Sequence, residues 1–408
     1  MKNKIYNKIF NPFSIFFKNE SASGLILLIF AIIAIIIANS SFATTYDNIL
    51  NTYITIGYKE FSLSMSVLHW INDGLMAIFF LVVGMEIKRE LLIGELKSFK
   101  RTILPIAAAV GGIIVPIIIY TLFNYNQPTS SGFAIPMATD IAFSLGVLSL
   151  VGKRAPKGII VFLTALAIVD DLGAIIVIAM FYTSEISWIY LFLSLIILMA
   201  LIAANKFKVK STPVFVILGI VLWFTILKSG IHATFAGVLL GMTIPGTKDS
   251  KTFKKSMLHK LEHKLSPWSA FLIMPIFALA NSGVAINISS LSTIMTTPVS
   301  LGIIFGLFLG KQIGIFGVSY VLVKFKIAKL PSKVTKRHLY GASVLGGIGF
   351  TMSIFVSSLS FVDEAVLSTA KISIIITSIL SAIVGTIIFK LIKHQNQIDF
   401  DEKSKCIA

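Results

Sequence analysis

Between Gly158 and Ser184 the chain runs for 27 residues with no charge except two adjacent aspartates, Asp170 and Asp171. As a helix rising ~1.5 Å per residue, such a run is about 40 Å long, enough to cross the ~30 Å hydrocarbon core of a bilayer. The aspartates fall thirteenth and fourteenth in it, at mid-depth. An ionisable side chain there costs about 2.5–3.5 kcal/mol on the insertion scale, against roughly 0.3–0.6 gained per Leu, Ile, Phe or Val. Two such acids leave little margin for insertion, and ion or proton pathways are the usual reason to keep them.

Other apolar runs follow the same pattern. With 56% hydrophobic and 13% charged residues over 408 positions, no soluble domain fits between them, so the expected fold is an all-α polytopic membrane protein forming one domain over 1–408. Twelve helices are expected near 21–39, 67–87, 102–123, 132–152, 158–182, 187–204, 213–227, 230–244, 267–286, 299–323, 337–359 and 369–392. Charge placement tests this count. With both termini cytoplasmic, the cytoplasmic segments hold 31 of the 35 Lys and Arg, leaving only Lys59, Lys228, Lys311 and Lys371. The net charge of +17 is therefore topological, and no nucleic-acid partner is expected. The lone Cys406 sits in a cytoplasmic tail, 393–408, and has no disulfide partner in the chain.

Between the first two helices, Thr52 to Ile56 and Phe61 to Met65 alternate polar with apolar or β-branched residues around Gly57-Tyr58-Lys59-Glu60. This reads as a small external β-hairpin within 45–66, and a hairpin is marginal alone, so a second copy is its expected edge partner. From Ser250 to Leu265, Phe253, Met257, Leu258, Leu261 and Leu265 give one apolar face to a Lys-rich stretch expected to lie on the cytoplasmic surface.

Asp140 and Lys311 are two more ionisable groups at mid-membrane depth. A lysine in hydrocarbon needs a carboxylate partner. A static ion pair would account for Lys311 and one aspartate, but not for three acids. Asp170 and Asp171 diverge by about 100° around a helix, which assigns them different jobs. A buried carboxylate can exchange a proton for a hard cation, so competition for one site would give exchange. Pro136, ahead of Thr139 and Asp140, and Gly346, Gly347 and Gly349 mark where the fourth and eleventh helices are expected to break. A proline kink and close glycine packing are the plainer alternatives. Half-helix ends carry partial charges, which Asp140 would offset at N-termini and Lys311 at C-termini. Helices three to five (102–182) and ten to twelve (299–392) each hold one break in the middle member and start on opposite sides, an inverted repeat forming a core bundle with the remaining helices as scaffold. Gly302, Gly306, Gly310 and Gly314 give helix ten a smooth face for close packing. Glu86, Arg89, Glu262 and His263 cluster near cytoplasmic helix ends, as solvated ends or as a pH-responsive funnel; His232 starts helix eight, and Asp73 lies within helix two as a minor candidate.

Ala138-Thr139-Asp140-Ile141-Ala142-Phe143, Val169-Asp170-Asp171-Leu172-Gly173-Ala174, Leu309-Gly310-Lys311 and Gly347-Ile348-Gly349-Phe350-Thr351-Met352 closely resemble the NhaA family of bacterial sodium/proton antiporters. So do the segments Lys228 to Ala233 and Phe79 to Glu90, and the likeness spans about residues 15–392. NhaA-type antiporters are themselves among the examples from which the inverted-repeat pattern was drawn. The resemblance implies a homodimer in the bacterial inner membrane and electrogenic, pH-regulated exchange of cytoplasmic sodium or lithium for external protons by alternating access. It implies Asp171 and Asp170 as the transient cation- and proton-binding pair, Lys311 as the partner of Asp170, and Asp140 with Thr139 at the crossing of broken helices. It links Glu86, Arg89, His232, Glu262 and His263 to the pH response. No cofactor and no enzymatic activity are expected. A passive cation channel is the main alternative; a membrane prenyltransferase fits less well, because Asp170-Asp171 lacks the later acid of a diphosphate motif.

Overall fold

The computed structural model describes residues 20–57, 62–94, 99–151, 155–183, 185–285, 291–331 and 333–392. The tail 393–408 with Cys406, the lysines ahead of residue 20 and the hairpin turn at 58–60 lie outside them. A helix stands at each of the twelve expected places. α1 (Glu20–Ala38) is followed by a short α2 (Ala43–Asn51) turned 112° from it. β1 (Tyr53–Ile56) pairs antiparallel with β2 (Leu63–Ser66), with Tyr53 opposite Ser66 and Ile56 opposite Leu63, as the alternating pattern predicts.

Long apolar helices follow: α3 (Val67–Leu92), α4 (Phe99–Phe123), α6 (Lys157–Phe181), α7 (Trp188–Lys206), α8 (Thr212–Ser229), α11 (Pro298–Lys324) and α14 (Glu364–Leu391). Between α4 and α6 lie a 3-10 segment, Pro128–Met137, and α5 (Ile141–Leu150), bent by 46°. Between α11 and α14 lie α12 (Lys336–Leu345) and α13 (Phe350–Ser360), bent by 43°. Seven described helices are long and apolar enough to span a bilayer, and ten if each bent pair counts once.

The two remaining helices show why length and apolarity undercount. α9 (Thr234–Thr243) has 10 residues, about 15 Å, half a hydrocarbon core. It is held by its fit to α3: a Cβ on Gly84 would lie 2.7 Å from Val238 O, and one on Gly241 2.6 Å from Leu81 O. α10 spans 257–281 and corrects two expectations. The ninth helix starts ten residues before the expected 267, and the amphipathic surface stretch is no separate element beyond one turn, Ser250–Phe253. Ser256 caps the new start, its Oγ accepting from His259 N at 3.3 Å. Pro267, lacking an N–H, is absorbed by a π-turn at Ser269–Ile273 rather than ending the helix. Phe253 and Leu258 are buried rather than laid on a membrane surface.

Burial orders the bundle. α6, which carries both aspartates, is 61% buried over its apolar window, and α7 only 11%. α6 is therefore central and α7 peripheral. The glycines of α11 pack on α4 as their spacing predicts: a Cβ on Gly310 would lie 2.9 Å from Pro116 Cα, and one on Gly314 2.9 Å from Gly112 N.

Candidate functional site

The two bent helices cross at their breaks. Ala138 and Asp140 are extended, so the peptide groups around them have no helical partners, and the opposite break supplies them. Asp140 N donates to Ile348 O at 2.7 Å, Thr139 Oγ1 to Gly346 O at 2.9 Å, Ser144 Oγ to Leu345 O at 2.9 Å, and Ser353 Oγ to Ile135 O at 2.8 Å. Gly346 and Gly349 have negative φ, so left-handed backbone is not the reason for glycine here. Close approach is: a Cβ on Gly347 would lie 2.6 Å from Leu307 O, and one on Gly346 2.7 Å from Ile315 Cδ1.

Asp140 serves two helix N-termini at once. Its Oδ1 accepts from Phe143 N at 3.0 Å, capping α5, while Oδ2 accepts from Thr351 N at 3.2 Å and from the Thr351 hydroxyl, at the start of α13. One carboxylate thus faces two positive dipole ends. Lys311 answers at the opposite polarity. Its ammonium donates to Met137 O, the last carbonyl of the 3-10 segment, and to Asp170 Oδ2 at 2.7 Å. Lys311 is 0% exposed and Asp170 1%. Thr139 lies beside Asp170, but its hydroxyl is committed to Gly346 O, leaving Asp170 Oδ1 buried without a donor.

Asp171 differs from its neighbour. It is buried on α6 within electrostatic reach of Asp170, Asp140, Glu86 and Lys311, and its carboxyl forms no hydrogen bond or ion pair among the described residues. Three carboxylates, one ammonium and a hydroxyl therefore meet where two helices are locally unwound. Such a constellation offers oxygen ligands to a hard cation and places to hold protons.

A profile of the Na+/H+ antiporter 1 family matches residues 14–389. The chain belongs to that family. It is 72% identical over 397 residues to "Na(+)/H(+) antiporter NhaA 1" of Clostridium beijerinckii, covering 97% of this chain and 99% of the relative. It is 52% identical to "Na(+)/H(+) antiporter NhaA" of Pelagibacter ubique, covering 92% and 96% respectively. The solved structure of the sodium proton antiporter MjNhaP1 from Methanocaldococcus jannaschii at pH 8 matches over 95% of each chain with a TM-score of 0.57 at 15% identity, a likeness of fold. Membership makes the chain a multi-pass membrane protein and a sodium/proton antiporter.

In this antiporter the five residues for which the resemblance implies a pH response do not form one group. Arg89 on α3 pairs with Glu262 on α10 and with Glu90 at 3.1 Å, Glu86 lies within reach of Arg89, and His263 packs edge-on against His259, with ring centroids 5.9 Å apart. Burial pushes the Glu262 carboxyl above its ordinary range, with Arg89 pulling the other way, and Glu262 Oε2 has no hydrogen-bond partner among the described residues. Among the described residues Glu86 alone is within electrostatic reach of both Arg89 and Asp171, which places it between this cluster and the crossing. His232 stands elsewhere. Its Nδ1 is 3.2 Å from Thr234 Oγ1 and 3.9 Å from Asp73 Oδ1, and Asp73 precedes Glu86 on α3 by about 20 Å of helix. His232, at the start of the eighth helix, therefore lies apart from the other four.

Sequence reasoning also missed Lys88, whose Nζ donates to Met242 O and Ile244 O at 2.7 Å each, closing the C-terminus of α9. Its position among Glu86, Arg89 and Glu90 disguised it as one more helix-end charge. Gln312 and Ser353 were missed as well; both are polar residues within apolar runs, which is the signal that could have found them.

Proposed function

We propose that this antiporter moves sodium or lithium out of the cytoplasm against a larger number of external protons, electrogenically, by alternating access to one site at which cation and protons compete. Asp171 is the primary cation ligand and Asp170 the second, with Lys311 holding Asp170 when the cation is absent. Asp140 and Thr139 keep the crossing in place. The observation that carries this reading is the buried Asp171 carboxyl, without a hydrogen bond among the described residues, beside an Asp170 that Lys311 holds through one oxygen. An entering cation has one carboxylate waiting, and gains the second by displacing an ammonium whose other partner, Met137 O, can retain it.

The orientation we assign has both termini in the cytoplasm of a bacterial cell with the protein in the inner membrane, supported by the distribution of Lys and Arg between connecting segments. The core bundle of 102–182 and 299–392 carries the site, and the remaining helices serve as scaffold. The Glu86–Arg89–Glu262 cluster is our candidate for pH regulation, because Glu86 reaches the site. Dimerisation through the hairpin is supported by its exposed strand, in which Tyr53, Ile54 and Ile56 all face outward.

Coupling separates this reading from a passive cation channel. In proteoliposomes holding an acid-inside pH gradient, external sodium should collapse the gradient as protons leave in exchange. A channel would let sodium flow without moving protons against a gradient. Asp171→Asn should abolish sodium-driven proton movement at every pH, and retention of normal exchange by that variant would remove Asp171 from the site.

A further inference from the structure

We infer that Tyr340 and Gln312 form a clasp that holds Lys311 in register with Asp170 and so sets how sodium and protons compete at the site. The inference rests on the roles proposed above for Lys311 and Asp170. Around Lys311, α11 is not a regular α-helix. π-turns occupy Gly306–Gly310 and Gln312–Gly317 on either side, and the Lys311 N–H reaches back to Gly306 O. π-turns are rare and recur at functional sites, since one extra residue per turn re-aims every side chain beyond it. A segment in this less favoured state needs outside contacts to keep it there.

The glycine packing on α4 supplies one face of that support. Gln312 supplies the other. In an α-turn the Gln312 N–H would take Phe308 O. Here the side-chain Nε2 donates to that carbonyl at 2.8 Å, while Oε1 accepts from the Tyr340 hydroxyl at 2.8 Å. Gln312 is buried and Tyr340 is 39% exposed, so the clasp runs from a buried side chain to one at the surface, and Phe316 packs edge-on against the Tyr340 ring with centroids 5.3 Å apart. Tyr340 belongs to α12, whose last carbonyl, Leu345 O, and the following Gly346 O accept Ser144 and Thr139. The clasp therefore ties the helix carrying Lys311 to the crossing that carries Asp140.

Relaxing either π-turn to α geometry would carry Lys311 around the helix axis and take its ammonium off Asp170. The charged groups facing that pair are Asp171 on α6 and Asp140 at the crossing, with Glu86 of α3 in reach of Asp171. Those near the clasp are Lys336 and Arg337, which line a cleft with Tyr340 and Phe316. Among the described residues Lys311 has one side-chain acceptor, Asp170 Oδ2, and one backbone acceptor, Met137 O. Tyr340 and Gln312 are thus positioning residues, acting through Lys311.

The test is the pH profile of sodium-driven proton efflux from proteoliposomes, with the apparent sodium KM measured at each pH. Tyr340→Phe, which removes one hydroxyl, should displace the profile by about half a pH unit, the equivalent of one neutral hydrogen bond, with little change in melting temperature. Gln312→Leu should displace it at least as far, and adding Tyr340→Phe to Gln312→Leu should displace it no further, because the hydroxyl acts only through Gln312. A Tyr340→Phe profile that superimposes on the wild type, a lowered melting temperature with an unmoved profile, or two shifts that add would each overturn the clasp. Asp171→Asn run alongside separates the two readings: if it has lost exchange while Tyr340→Phe is unshifted, the clasp fails and the site stands, whereas if it still exchanges, the site itself fails.

Discussion

Removing the lysine from the Lys311–Asp170 pair should destabilise the protein more than any substitution at the helix ends. The ammonium lies 2.7 Å from Asp170 Oδ2, and both residues are buried. Lys311→Ala takes away the only donor that Asp170 has among the described residues, since Oδ1 is already without one, and also uncovers Met137 O at the end of the 3-10 segment. Breaking a buried pair by deleting one member costs about 3–5 kcal/mol. On the per-residue unfolding entropy of globular domains, that corresponds to roughly 4–6 °C in melting temperature for a chain of this length. A proton can stand in for the lost ammonium, so the deficit should be largest at alkaline pH and shrink as pH falls. Asp170→Ala added to Lys311→Ala should recover part of the loss, because no buried charge is then left unpaired. Intrinsic tryptophan fluorescence of the detergent-purified protein, followed through a thermal ramp at alkaline and at acidic pH, reads all three variants. An unchanged melting temperature for Lys311→Ala at alkaline pH, or a double variant weaker than the single, would refute the reasoning.

Asp140→Ala removes the acceptor at two helix starts, which at ~1 kcal/mol per cap, and up to ~2, is about 2–4 kcal/mol; Asp140→Asn keeps an acceptor and should recover most of it in the same thermal ramp. Gly347→Val places a Cβ 2.6 Å from Leu307 O and 2.9 Å from Ser381 Oγ, so folded yield by size-exclusion chromatography should drop, with overpacking of about 1–3 kcal/mol or more. Glu262 carries a pH signature of known sign. Its folded carboxyl holds a proton more tightly than an unfolded one, whose ordinary value is 4.5, so its contribution favours the fold at low pH and is lost as pH rises through the raised value. Glu262→Gln should flatten the pH dependence of melting temperature just above that ordinary value, and an unaltered slope would argue against it.

The features legible in the chain are those that violate its surroundings. Asp170, Asp171 and Lys311 stand out because charges in apolar runs have few explanations, and Pro136 and the glycines at 346, 347 and 349 stand out because helices seldom carry them without cause. The hairpin was legible from a change of period. Hydrogen-bond register within a helix was not, because it is decided by what packs against it. Nothing in Pro128–Met137 distinguishes 3-10 from α geometry, and nothing in Gly306–Gly317 announces two π-turns; the four-residue spacing of Gly310 and Gly314 announces a close approach, but that Pro116 and Gly111 face them is seen only in the fold. His232 illustrates a second limit. Its place at the start of helix eight was legible, but its neighbour was not: the path of α3 brings Asp73 within 3.9 Å of it and carries Arg89 to Glu262 at the other end.

The crossing also sets a timetable for making the protein. Thr139 and Gly346 are 207 positions apart, so at ~5–20 residues per second the ribosome completes the second break roughly 10–40 s after the first. During that interval Asp140 N, Ile135 O and the cap at Thr351 have no partners, and each open backbone group within lipid costs several kcal/mol. The first half of the repeat must therefore wait near water, inside the insertion machinery or against a chaperone, and can settle at full depth only when its mirror half arrives. Assembly of the site and final insertion of α5 are then one event, and a chain halted before α12 should be a substrate for membrane proteolysis rather than a stable half-transporter.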